Sequence, residues 1–194
     1  MRLPRTILLT AALATVGAFA RAEAPPIGSP APNFTLTAID GKAFSLAEAT
    51  KSHKAVVVMF IATQCPYSNA YNDRMRELAA AYGKDGVLFV GINSNKTEPT
   101  DEVVQHAKKH GLTFPILKDP GNKVADLYDA RHTPEVFVID PSGVLRYHGR
   151  IDENYEDASK VTSPDLKNAL NALLSNKPIA KAETKAFGCS IKRV

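Results

Sequence analysis

Residues 55–69 read AVVVMFIATQCPYSN, a β-branched apolar run that leads into a lone cysteine followed by proline. A short continuous run of this kind suits a strand buried on both faces. Proline directly after the cysteine suits the first position of a helix, where its missing N–H costs nothing. Downstream, Tyr67, Tyr71, Met75, Leu78 and Tyr82 recur at helical steps and Gly83 follows, which predicts an amphipathic helix with a C-terminal stop. Cys65 therefore falls at a strand-to-helix junction, where unpaired N–H groups and the positive end of a helix dipole point at its sulfur. Such a setting can lower a thiol pKa from ~8.5 into the range ~3.5–7.5 and populate the reactive thiolate. A buried, inert cysteine is the plain alternative, but an inert residue has no need of a proline-opened helix.

Working outward, APNFTLTAIDGKAFSLAEA alternates apolar and polar residues around Asp40-Gly41, a hairpin signal. VLFVGI (87–92) predicts a second buried strand. Thr100 is placed to cap a helix that carries Asp101 and Glu102 in its first turn and stops at Gly111. Asp119-Pro120 opens a short helix, and EVFVID and VLRYH flank the turn Asp140-Pro141-Ser142-Gly143. A last helix starts at Ser163-Pro164-Asp165, with Leu166, Ala169, Leu170, Leu173 and Leu174 on one face. The order predicts an α/β fold with a mixed sheet, its first crossover parallel and its last pair antiparallel.

The N-terminal stretch MRLPRTILLTAALATVGAFARAEA has a basic start, an apolar run from Thr6 to Phe19 and small residues at cleavage spacing. That pattern predicts a secretory signal over residues 1–22. The alternative is an uncleaved anchor, although the run falls short of the ~20 residues that span a bilayer. An exported chain, periplasmic or secreted, lives where disulfides persist. Arg2, Arg5 and Arg21 fall within the signal, so 21 of the 24 basic residues remain against 20 acidic ones. The near balance gives no case for nucleic acid or lipid as a partner, with membrane contact only through an uncleaved signal. About 170 residues suit one domain, here 23–178 with a polar tail over 179–194. Two cysteines are too few for a disulfide scaffold.

RHTPEVFVID holds the second informative element. Pro134 directly precedes a strand that should be central, where proline removes a ladder donor. A cis Thr133–Pro134 bond would resolve that conflict. Together, GSPAPNFTLTAIDGKAFSL, the CPY stretch, GINSN, TPEVFVID, GRID and a terminal GCSIK resemble the thioredoxin superfamily. More narrowly, they are similar to its peroxiredoxin-like redoxin branch, related to alkyl hydroperoxide reductase and thiol-specific antioxidant proteins. The resemblance covers nearly the whole chain after the signal. It implies a thioredoxin-like fold with an N-terminal β-hairpin extension, a nucleophilic Cys65, and a cis-Pro134 loop against its sulfur. Thr133 would offer its backbone to a bound substrate. No cofactor or metal is implied.

Three departures limit the likeness. A C-x-x-C motif would need cysteine at 68, where Ser68 stands. The branch often carries a cysteine at the place of Ala62, and the peroxiredoxin motif P-x-x-x-T-x-x-C would need proline and threonine where Val58 and Ala62 stand. The remaining thiol is Cys189, 124 positions after Cys65. Its glycine neighbour and polar surroundings suggest a mobile segment able to fold back over the site. It could resolve a mixed disulfide by thiolate attack, form a structural staple, or not pair at all. His132 could hold a proton or charge near Cys65, and Arg131 could favour the thiolate; solvated loop residues are the simpler reading of both. Arg150 and Asp152 read equally as a structural ion pair or a substrate contact, and Asn93 and Asn95 as cleft-lining or turn residues.

The leading expectation is a thiol–disulfide oxidoreductase acting on protein or small-molecule thiols and disulfides. A peroxidase acting on hydroperoxides through a sulfenic acid is the alternative. A copper-handling protein would need C-x-x-x-C, and Asn69 occupies the second cysteine's place. A non-catalytic binding module is the remaining reading.

Overall fold

The hairpin expected around Asp40-Gly41 is formed by β1 (Thr35–Ala38) and β2 (Ala43–Ser45), which lead into α1 (Leu46–Ser52). This computed structural model describes residues 24–194, and the predicted export signal lies outside them. The apolar run forms β3 (Ala55–Phe60), buried at all six residues. After α2 (Pro66–Ala70) and α3 (Asn72–Gly83) come β4 (Val87–Asn93), α4 (Thr100–His110), β5 (Ile116–Lys118) and α5 (Lys123–Leu127). The chain continues through β6 (His132–Thr133), β7 (Glu135–Ile139), β8 (Leu145–Gly149), α6 (Asp165–Leu174) and β9 (Cys189–Ser190).

Seven strands make one mixed sheet in the order β2-β1-β5-β4-β3-β7-β8. β3 runs parallel to β4 and antiparallel to β7, as the sequence order predicts. Strand side chains alternate between faces. Val57 and Met59 therefore pack toward α3, α4 and α6, meeting Met75, Val103 and Leu170. Val56, Val58 and Phe60 pack toward α1 and α5, meeting Leu46, Val124 and Tyr128. A mixed sheet with helices on both faces and a hairpin extension is the architecture expected of a thioredoxin-like fold. No described helix is long and apolar enough to cross a membrane.

Two local expectations are corrected. The helix predicted to run unbroken from Tyr67 to Tyr82 is interrupted at Tyr71, whose N–H reaches Ser68 O at 3.1 Å. The Tyr71 hydroxyl is committed to Asp152 at 2.8 Å. Thr100 does not cap its helix but is its first residue, with Pro99 in the capping position.

The segment after α6 lies along the free edge of β8. His148 N donates to Ala182 O and Thr184 N donates to His148 O, each at 3.0 Å. Gly149, at φ +151°, permits this approach, since a Cβ there would stand 2.0 Å from Thr184 Oγ1. The chain then crosses the C-terminal end of β3 as β9 and pairs antiparallel with β6. Composition alone suggests a mobile segment here; instead it is anchored. Ile191 N bonds Arg131 O at 3.0 Å, Lys192 N bonds Asn95 Oδ1 at 2.7 Å and Val194 N bonds Asn122 Oδ1 at 2.9 Å. Ile191 itself joins the core on the α1/α5 face.

Candidate active site

Cys65 is the N-cap residue of α2, with Pro66 opening the helix, and is 2% exposed. Its sulfur accepts the Ser68 N–H at 3.3 Å and its thiol donates to Thr133 O at 3.1 Å. Because α2 spans only five residues, this one N–H, rather than a long helix dipole, is what meets the sulfur. The Ser68 hydroxyl accepts from Ala62 N at 3.1 Å, which ties the strand end to the helix start.

The Thr133–Pro134 peptide bond is cis. The loop before it is held by Glu135, 4% exposed, whose Oε2 accepts from Arg131 N at 2.7 Å and His132 N at 2.8 Å. The other Glu135 oxygen meets His148 Nε2 at 2.7 Å, and the His148 ring stacks on Phe137. Thr133 lies directly opposite Cys189 in the β6–β9 register. Both cysteines are free thiols, and both meet Thr133: Cys65 through its sulfur and Cys189 as its strand partner. Burial, with the neighbouring Cys65 thiol and its charge, pushes the Cys189 thiol up to about 11; the Tyr67 N–H and Lys192 pull the other way. The fold thus gathers Cys65, Thr133, Pro134 and Cys189 into one cluster.

Other singled-out residues take structural positions. Arg131 is exposed and paired with Asp129 at 2.6 Å, away from the sulfur. Arg150 and Asp152 do not pair with each other. Arg150 meets Asp165, and Asp152 meets Arg74, each at 2.7 Å. Asn93 and Asn95 are buried and donate to Glu98 rather than lining an open cleft. His132 donates its N–H to Glu135, and its Nδ1 is buried without a partner.

Glu98 is a site residue that the motifs did not reveal. It is 1% exposed and accepts from Thr63 N at 2.8 Å and Gln64 N at 3.1 Å, the two residues before Cys65. Burial alone raises a carboxyl, yet these N–H groups and the two asparagine amides outweigh it and hold Glu98 below the ordinary range. Nothing in NKTEPT separates this glutamate from a surface one. Glu135 had a readable signal, a charge opening an otherwise apolar strand. Phe187 also belongs to the site: its ring stands 6.2 Å from Tyr67 and 6.3 Å from Tyr155.

Comparison with known proteins bears on the family and the fold. Residues 27–148 match the AhpC/TSA family. The thiol-disulfide oxidoreductase ResA of Geobacillus thermodenitrificans is 32% identical over 148 residues, 73% of this chain and 83% of that protein. A hypothetical protein of Sinorhizobium meliloti superposes with a TM-score of 0.81 at 32% identity, covering 89% of this chain and 97% of the other. A thiol:disulfide interchange protein of the thioredoxin family from Chlorobium tepidum superposes with a TM-score of 0.62 at 25% identity, covering 78% and 99%. The chain belongs to the AhpC/TSA family, within the peroxiredoxin-like redoxin branch of the thioredoxin superfamily. Its chemistry is that of a thiol oxidoreductase.

Proposed function

We propose that the protein is an exported thiol–disulfide oxidoreductase in which Cys65 is the nucleophile and Cys189 resolves the intermediate. One observation carries the reading: Cys189 stands opposite Thr133, whose carbonyl meets the Cys65 sulfur, while both thiols are free. The Cys65 thiolate attacks one sulfur of a substrate disulfide; a Cys65–substrate disulfide forms, and the other substrate sulfur leaves as a thiolate and takes a proton. The Cys189 thiolate then attacks Cys65 Sγ, a Cys65–Cys189 disulfide forms and the second substrate thiol departs. Two protein thiols are oxidised and one substrate disulfide is reduced. An external dithiol returns the pair to the start, and the reverse direction uses the same steps.

Thr133 and Pro134 shape the wall against which the attacked sulfur sits, and Pro134 contributes no N–H to compete for it. Export is supported by the N-terminal pattern of residues 1–22. The residue organisation we propose is a signal over 1–22, a thioredoxin-like domain over 23–178, and a segment over 179–194 that brings Cys189 to the site. No nucleic-acid partner enters this reading.

The test is trapping by mass spectrometry under non-reducing conditions. Cys189→Ser treated with oxidised glutathione should hold glutathione on Cys65, whereas the unaltered protein should pass on to an internal disulfide. Cys65→Ser should do neither. Retained exchange in Cys65→Ser sinks the reading. Hydrogen peroxide serves as the second arm: stoichiometric Cys65 sulfenic acid, with no exchange on glutathione, would favour the peroxidase chemistry instead.

A further inference from the structure

The strip covered by residues 187–191 is built like a peptide-binding groove. Among the described residues β6 finds its only strand partner in β9, and pairing through main-chain groups accepts any extended segment. Specificity then comes from alternate side chains, which point the same way along a strand. Phe187 enters an aromatic niche made by Tyr67 and Tyr155. Cys189 meets Cys65. Ile191, 7% exposed, fills a gap in the core on the α1/α5 face. Between the first two, Gly188 sits at φ +143°, and a Cβ there would stand 2.1 Å from Thr133 O. Thr133 Oγ1 and His132 Nδ1 lie buried in β6 with no hydrogen-bond partner, so the segment does not satisfy every polar atom of the strand that it covers.

An extended polypeptide substrate along this strand is what the family resemblance already implies; we propose that residues 187–191 are a built-in copy of that substrate, its template and its intramolecular competitor. The substrate is a protein segment carrying an aromatic residue, glycine, the reactive cysteine, any residue, then a branched aliphatic residue. This inference rests on the thiol–disulfide reading above. Tethering gives the chain's own segment a high effective concentration, so an outside strand enters only when that segment lifts away. When the segment returns, its thiol breaks the Cys65–substrate disulfide and its backbone takes back the β6 edge. Resolution and expulsion of the product are then one movement.

The test uses a fluorescent decapeptide, KAFGASIKRV, which copies residues 185–194 with alanine in place of Cys189, and a scrambled control. Fluorescence anisotropy is read on the full-length protein, on Gly188→Val, which forces the segment off Thr133 O, and on Phe187→Ala, which empties the aromatic niche. Each variant should bind the template at least about tenfold more tightly than the unaltered protein does, and the scrambled peptide no better than before. Circular dichroism checks that each variant is folded; if Gly188→Val is not, Phe187→Ala carries the test. Absence of tighter binding in the folded variants overturns the proposal, as does equal binding of the scrambled peptide. Dimers of Gly188→Val in light scattering, without template binding, overturn it in favour of a second copy of the chain as occupant. Oxidised glutathione reports separately on Cys65. If glutathione reacts and the template does not bind, the groove fails and the redox reading stands. If the template binds and glutathione does not react, the groove stands and the redox reading fails.

Discussion

Glu98 offers two oxygens to four donors: the N–H groups of Thr63 and Gln64 and the amides of Asn93 and Asn95. Glu98→Gln would turn one acceptor into a donor facing donors, so it should cost about 1–3 kcal/mol, read as a lower Tm. Its folded pKa is depressed. A depressed carboxyl contributes stability above its unfolded pKa of ~4.3, and that contribution is lost as pH falls through the folded value. The acid limb of a stability–pH curve should therefore flatten in Glu98→Gln; an unchanged limb would remove Glu98 from the loop's support. Cys189 has the opposite sign. With its thiol pushed up to about 11, the thiolate is scarce near neutrality, and resolution should quicken about tenfold per pH unit between about pH 6 and pH 9. Once Cys65 is bound to substrate its charge is gone, so only the part of the elevation due to burial persists. Single-turnover decay of the glutathione adduct measures this, and a flat profile would exclude Cys189 as the attacking group.

At the scale of elements, the contact between β8 and the segment beyond α6 depends on Gly149. Gly149→Ala places a Cβ against Thr184 Oγ1 and, at 2.6 Å, against Thr184 O. It should lower stability by about 1–3 kcal/mol and speed alkylation of Cys189 in the folded protein; unaltered alkylation would mean that the segment is held from β9 onward alone. The regular elements were legible because their signals are local: the β-branched run of β3, the leucine face of α6, the Asp-Gly turn of the hairpin. The break at Tyr71 was not, because the apolar spacing from Tyr67 to Tyr82 runs straight through it and the Asp152 that holds the Tyr71 hydroxyl is 81 positions away. The course of residues 182–194 was equally hidden. Its anchors are Arg131 O, Asn95 Oδ1 and Asn122 Oδ1, acceptors whose positions exist only after folding.

For the whole molecule, an internal disulfide between residues 124 positions apart would remove much of the unfolded chain's freedom. The oxidised protein should therefore be more stable than the reduced one by up to about 4–5 kcal/mol, seen as a higher Tm. A lower Tm on oxidation would mean that the pair is strained when joined and serves exchange rather than storage. The elements that make this a thioredoxin-like fold could be read from sequence, and so could Cys65 and Pro134, because each sits inside a motif. The supporting role of Glu98 and the true partner of Asp152 could not. The loop residues that Glu98 holds, Thr63 and Gln64, are 35 and 34 positions away, the Arg74 that pairs with Asp152 is 78 away, and buried charge leaves no periodic mark.

β9 lies beyond all seven strands of the main sheet in chain order, yet it closes the site formed by β3, α2 and β6. A nascent chain emerging N-terminus first can assemble that sheet, and present Cys65, before Cys189 has been synthesised. The nucleophile is thus unguarded during biogenesis, and the competence to resolve its own adducts comes only after the sheet that presents it.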